Sequence, residues 1–93
     1  MQAGEPIPSI VMQAARLSWG VLIDAYLINA ARVGDRFTAS AFLDHAGKIK
    51  DGETVVTPPL RKVAARGEFS LMQSTNGRDY YVLVSEYQAT HSH

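Results

Sequence analysis

The clearest alternation of apolar and polar positions runs from Phe69 to Tyr87, FSLMQSTNGRDYYVLVSEY, where two alternating stretches flank Asn76-Gly77. Asn-Gly between such stretches is the strongest short-range hairpin signal, because both central residues of a type I′ turn take positive φ and these two tolerate it best. With Thr75 and Arg78 closing the loop, the expected cross-strand pairs are Gln73 with Tyr80, Met72 with Tyr81, Leu71 with Val82, Ser70 with Leu83 and Phe69 with Val84. One face then carries Phe69, Leu71, Val82, Val84 and the Tyr80 ring. The other carries Ser70, Met72, Ser74, Asp79, Tyr81 and Leu83, a mixed set. A slip of one residue would exchange the two faces, so turn and pattern specify one register together. An isolated hairpin is marginal in water, and the rest of the chain must supply partners for it.

Met1 to Pro8, with Gly4, Pro6 and Pro8, reads as an extended arm. Ser9 stands at an N-cap position, and Ile10 to Leu17 reads as a short helix with Ile10, Ala14 and Leu17 on one side, too short to stand without the sheet beneath it. Ser18 to Asn29, SWGVLIDAYLIN, is apolar on both parities and reads as a strand covered on both sides. A helix from Val21 to Val33 with Gly34 as its C′ residue is the rival, since Leu22, Ile23, Tyr26, Leu27 and Ala30 also keep helical spacing. Arg32 to Arg36 forms a turn around Gly34-Asp35, and Arg36 to Asp44 alternates, with Phe37, Ala39, Ala41 and Leu43 on the buried side. The small alanines there leave room for close packing. Ala46 to Gly52 is the next turn. Glu53 to Thr57 is a short strand that Pro58-Pro59 must end, which places it at an edge or bends the chain toward another part of the fold. Leu60 to Ala65 continues as irregular or strand-like chain into a turn at Arg66-Gly67. Gln88 to His93 is a polar tail expected to fray. The expectation is an α+β, mainly β fold: residues 9–87 form one domain, with a short N-terminal helix and an antiparallel meander of about five strands, strongly twisted or partly closed into a barrel.

Composition narrows the classes. The chain has 93 residues, 46% of them apolar and 19% charged, which suits one small globular domain and argues against disorder. Nine basic and nine acidic side chains cancel, so no general pull toward nucleic acid or anionic lipid exists, although a local patch does. The chain contains no cysteine, which removes disulfides, thiolate metal sites and cysteine nucleophiles, and fits a reducing compartment. Val21-Leu22-Ile23 is broken by Asp24, far short of the roughly 20 apolar residues that span a bilayer. Glu5 precedes the first basic residue, Arg16, and no basic segment leads an apolar one as in a signal peptide. The expected setting is cytoplasmic and away from membrane.

With the strands placed, Trp19-Gly20-Val21-Leu22-Ile23-Asp24, His45 to Glu53 (HAGKIKDGE), Val56-Thr57-Pro58-Pro59-Leu60, and Thr75-Asn76-Gly77 before Tyr80-Tyr81-Val82-Leu83 resemble, in that order, a family of small uncharacterised bacterial proteins associated with phages and mobile elements. The likeness covers roughly residues 19–84. It departs at Glu53-Thr54, where the family commonly has an acidic residue and Trp, and at Pro58, where Ser is usual. The shared motifs are structural. The resemblance implies a β-rich fold and no established activity.

Candidate chemistry is sparse. His91 and His93 sit in the tail and His45 at a turn beside Asp44, whereas a zinc site needs three or four ligands on one scaffold. Asp24, Asp44, Asp51, Glu53, Asp79 and Glu86 are scattered over strand ends and turns. Ser40, Ser70, Ser74 and Ser85 lie in strands without a nucleophile elbow, and no phosphate-binding glycine motif occurs. No catalytic, cofactor-binding or metal-binding residue is assigned, no cofactor is expected, and the chain is read as a non-enzyme. Trp19, Phe42, Met72, Tyr81 and Leu83 offer more apolar surface than one short helix can cover. The expected function is therefore a non-catalytic interaction module, a homodimer by preference, that uses this aromatic face for a protein partner or a small hydrophobic ligand. Arg61, Lys62, Arg66 and Arg78 form the one local excess of positive charge, and a small barrel binding single-stranded nucleic acid is the alternative. A small enzyme without a recognisable motif ranks third.

Overall fold

The computed structural model describes residues 6–87. The expectations for the rest of the arm and for the tail, His91 and His93 included, lie outside the described residues. Those described form one helix, α1 (Ser9–Ala15), and six strands: β1 (Ala25–Val33), β2 (Arg36–Phe42), β3 (Glu53–Val56), β4 (Leu60–Arg66), β5 (Phe69–Ser74) and β6 (Tyr80–Leu83). The helix is not capped by Ser9. Pro8, in extended conformation, is the N-cap, and its carbonyl accepts the N–H groups of Val11 and Met12. Among the described residues no helix is long and apolar enough to cross a membrane.

All six strands join one sheet in the order β3-β2-β1-β6-β5-β4. Two three-stranded antiparallel meanders meet at its centre, where β1 and β6 run parallel through Ala25↔Tyr81, Tyr26↔Val82 and Leu27↔Leu83. The sheet is thus mixed and six-stranded, against the expected antiparallel meander of about five. The additional strand is β4, the stretch read as irregular or strand-like. The rival helix over residues 21–33 does not form, and the strand is Ala25–Val33. It begins at Ala25, because Gly20 at φ 79 and the bend that follows keep residues 20–24 out of the ladder.

The hairpin β5–β6 has the expected register: Ser70↔Leu83, Leu71↔Val82, Met72↔Tyr81 and Gln73↔Tyr80. Its turn differs from type I′. Ser74 N–H bonds the Asp79 carbonyl at 2.9 Å and Gly77 N–H bonds the Ser74 carbonyl at 2.8 Å, so the loop has four residues. Only Gly77 takes positive φ, and the Asn76 side chain accepts from Ser74 Oγ and from Arg78 N–H. One residue added on each side of Asn76-Gly77 leaves the pairing centre where it was, which is why the register survives the change of turn.

Both ends of the sheet order are consecutive in the chain. Only three residues separate Val56 from Leu60, a reach of at most about 14 Å, whereas the edges of a flat sheet of this width lie about 24 Å apart. The sheet is therefore rolled. No ladder joins β3 to β4, so it is not closed into a barrel. The kink between them is held by Thr57, 2% exposed, whose N–H bonds the Phe37 carbonyl at 2.8 Å while its Oγ1 accepts Phe37 N–H at 3.1 Å and donates to the Pro58 carbonyl at 2.7 Å. Leu60 N–H reaches the Asp35 carbonyl, and Pro59 accepts from Thr75 N–H.

Rolling creates two cores. Leu27, Phe37, Leu60, Met72 and Leu83 fill the inside, with Val55 of β3 and Tyr81 against them. Alanines 25, 30, 39 and 41 complete it, and what packs closely against them is the remainder of the same sheet. Outside, Phe69, Leu71, Val82, Val84 and Tyr80 gather as expected of one hairpin face, covered by Val11 and Ala14 of α1 with Ile7, Ile10, Trp19 and Ile23. Ile7, read as part of an extended arm, belongs to this core. At Asn29, with φ 52, β1 takes an extra residue against β2, and Ala30 is thereby turned inward. β2 stops at Phe42 because Leu43 adopts φ 57, which swings its side chain to the outer core instead of the expected inner face.

Candidate interaction edge

The expected aromatic face does not form. Met72 and Leu83 are buried inside the roll with Tyr81 packed beside them, while Phe42, 1% exposed, and Trp19 belong to the outer core. Trp19 is half-buried, and its indole Nε1 donates to the Ala14 carbonyl at 3.0 Å, which seats the loop after α1. Five residues taken from the pattern as one surface thus lie on opposite sides of the sheet. Rolling buries these five side chains, wholly or in part, within the chain.

Exposure is concentrated instead on β4. After Leu60, which belongs to the inner core, every residue from Arg61 to Glu68 is exposed. Among the described residues β4 pairs only with β5, on one side. Leu60 turns its N–H away from β5 toward Asp35, and by the alternation of an antiparallel ladder Lys62 turns its amide outward as well, beyond the turn between β1 and β2. A free edge of this kind offers unpaired N–H and C=O groups to another strand, and interspersed cations are the usual guard against indiscriminate pairing.

Of the expected basic patch, Arg61, Lys62 and Arg66 stand along this edge and Arg78 at the tip of the β5–β6 hairpin. Arg61 donates to Gln73 Oε1 at 3.2 Å, and Gln73 Nε2 in turn donates to the Tyr80 hydroxyl at 3.1 Å, a polar chain across three strands. Arg66 donates to the Ser18 carbonyl. A register shift between Lys62 and Ala64 leaves Val63 as a bulge. Arg61 then sits opposite Gln73 and Arg66 opposite Phe69, both on the outer side, while Lys62 sits opposite Met72 on the inner side. Without the extra residue, Arg61 and Arg66 would face opposite ways. A bulge at a residue as ordinary as Val63 leaves no mark in the sequence.

Four of the six carboxylates and two of the four serine hydroxyls considered for catalysis accept backbone N–H groups. Asp24 Oδ2 accepts Tyr80 N–H, Asp44 Oδ2 accepts the N–H groups of Lys48 and Ile49, Asp51 Oδ1 accepts Leu43 N–H, and Glu53 Oε1 accepts Lys50 N–H. Ser74 Oγ accepts Asp79 N–H and Ser85 Oγ accepts Asn29 N–H. His45 is exposed and uses its backbone N–H on the Asp24 carbonyl. Among the described residues no group of three or more His, Cys, Asp or Glu is arranged to hold a metal ion. An open groove of about 320 Å³ is lined by Ile10, Leu83 and Val84 together with Glu68, Ser70, Ser85 and Glu86, a lining of mixed polarity.

Two phenols are perturbed. Burial raises Tyr26 above its ordinary 10.0, and burial, then Asp79, Asp24 and Asp44, raise Tyr81 above the same value. The folded state therefore keeps protons that the unfolded chain releases above pH 10.0, so this contribution to stability is complete below that pH and falls as pH rises through the folded values. Urea midpoints are expected to drop above pH 10.0, and Tyr81→Phe to flatten the drop; an unchanged profile in the variant would contradict the assignment.

No family model, curated protein or solved structure matches the chain.

Proposed function

We propose that the chain is a non-catalytic interaction module that receives an extended protein segment along the outer edge of β4. The observation that carries this reading is the contrast between faces and edge: both sides of the sheet are filled from within the chain, while β4 is bare from Arg61 onward. A segment added as a strand gains main-chain hydrogen bonds from the edge and selectivity from alternate side chains. The engagement of Asp24, Asp44, Asp51 and Glu53 by backbone N–H groups favours a binding role over catalysis.

A homodimer through the same edge is the nearest rival. It lays two strands whose only charges are basic side by side, Arg61, Lys62 and Arg66 on each, and like charges brought opposite one another across a ladder are destabilising. Nucleic acid would use the four cations, yet single-strand binding relies on exposed rings for stacking, and Trp19 and Tyr80 are half-buried in the outer core. The test is an amide-resolved NMR titration with a neutral Thr/Val nonapeptide at millimolar concentration and, separately, with oligo-dT. Shifts confined to β4 and its flanks with the peptide are expected. Peptide shifts elsewhere, or none, would remove the edge reading; β4 shifts that grow with protein concentration alone would replace it with the homodimer. Oligo-dT shifts at Arg61 and Arg78 that vanish steeply with salt would favour nucleic acid.

A further inference from the structure

We infer that the segment β4 accepts carries two carboxylates four residues apart on one face, an inference that rests on the edge reading above. The bulge at Val63 places Arg61 and Arg66 on the same side of the sheet, and the regular strand already paired with them provides the ruler. Opposite Arg61 stands Gln73 and opposite Arg66 stands Phe69, four positions apart and separated by about 13 Å of extended chain. A regular strand on the free side spans the same distance with the same count. Two acidic residues at positions i and i+4 then both face the guanidinium groups, whereas acids five apart point to opposite faces.

Charge on the edge is of one sign. Leu60 to Arg66 contains no acidic residue, and among the described residues each guanidinium makes one hydrogen bond, to Gln73 Oε1 and to the Ser18 carbonyl, out of the five N–H groups it carries. Planar, delocalised arginines suit carboxylates in particular, through two parallel N–H···O bonds. Lys62, on the inner side, adds attraction without setting the spacing. The occupant is a different chain: no two acidic residues of this sequence lie four apart, so a second copy cannot supply the pair.

The experiment compares three Thr/Val nonapeptides by fluorescence anisotropy and NMR: two Glu four apart, two Glu five apart, and two Lys four apart. The first is expected to bind several-fold more tightly than the second, and the third most weakly. Arg61→Gln and Arg66→Gln are each expected to abolish the preference between the two Glu peptides, with the amide spectrum of each variant reporting its fold. The comparison on the unmodified protein stands even if a variant misfolds. Equal affinity of the two Glu peptides, with shifts still on β4, would overturn the spacing and leave the edge reading intact. Absence of β4 shifts with all three would end both. Preference for oligo-dT over every peptide would assign the arginines to phosphates and overturn the inference.

Discussion

Phe42→Ala is expected to lower the free energy of unfolding by about 3–5 kcal/mol, the range for truncating a buried aromatic. Phe42 is 1% exposed, pairs with Tyr26 across β1–β2 and sits in the outer core with Val11 of α1. Removing its ring leaves a cavity bounded by a helix and a rigid sheet, neither of which can collapse far. A domain of this length is stable by about 5–15 kcal/mol, so the loss takes a large share of the whole. Urea unfolding followed by circular dichroism should show a lower midpoint with unchanged slope. The contrast is informative, because an exposed Phe42 serving a dimer face would leave the stability of the dilute monomer unaltered.

The second large effect belongs to Thr57→Val, a nearly isosteric change that removes one oxygen. Thr57 Oγ1 accepts the buried N–H of Phe37 and donates to the Pro58 carbonyl, and valine does neither. An orphaned buried donor costs about 1–3 kcal/mol. The loss falls at the kink that rolls the sheet, so it should be accompanied by faster amide exchange at Phe37 and Leu60. A variant as stable as the parent would mean that the kink is maintained by the prolines and the Asp35 contact alone. Thr57→Ser, which keeps the oxygen, should be clearly milder than the valine change.

Much of the fold was legible where local and non-local signals agree. The β5–β6 register followed from alternation and the position of Asn76-Gly77, and it held although the loop is wider, because widening a loop symmetrically does not slide its strands. Pro58-Pro59 marked the place where an edge strand ends and the chain redirects. The inside and outside of the sheet were harder to assign. The mixed face bearing Met72, Tyr81 and Leu83 looks like a surface until one knows that three residues connect the two edge strands and force the sheet to curl around it. Curvature is a property of the whole sheet, and no window of sequence contains it. The bulges at Asn29 and Val63 were invisible for a related reason: each depends on the partner strand for its definition. Arg61, Lys62 and Arg66 were legible as a cluster, but their division between two faces, and hence the spacing that selects a partner, required the ladder with β5. The Ser9 cap failed because Pro8 in extended conformation already starts the helix.

Residue-resolved hydrogen exchange on the free protein at low concentration bears most directly on the claim that the sheet is filled on both faces and open along the β4 edge. Amides in the β1, β5 and β6 ladders, Leu27, Leu71 and Val82 among them, should exchange slowly, while the outward amide of Lys62 should exchange at nearly the rate of an unstructured peptide. Protection at Lys62 equal to that at Leu71 in the dilute, unliganded chain would show the edge to be covered already, and would contradict the account.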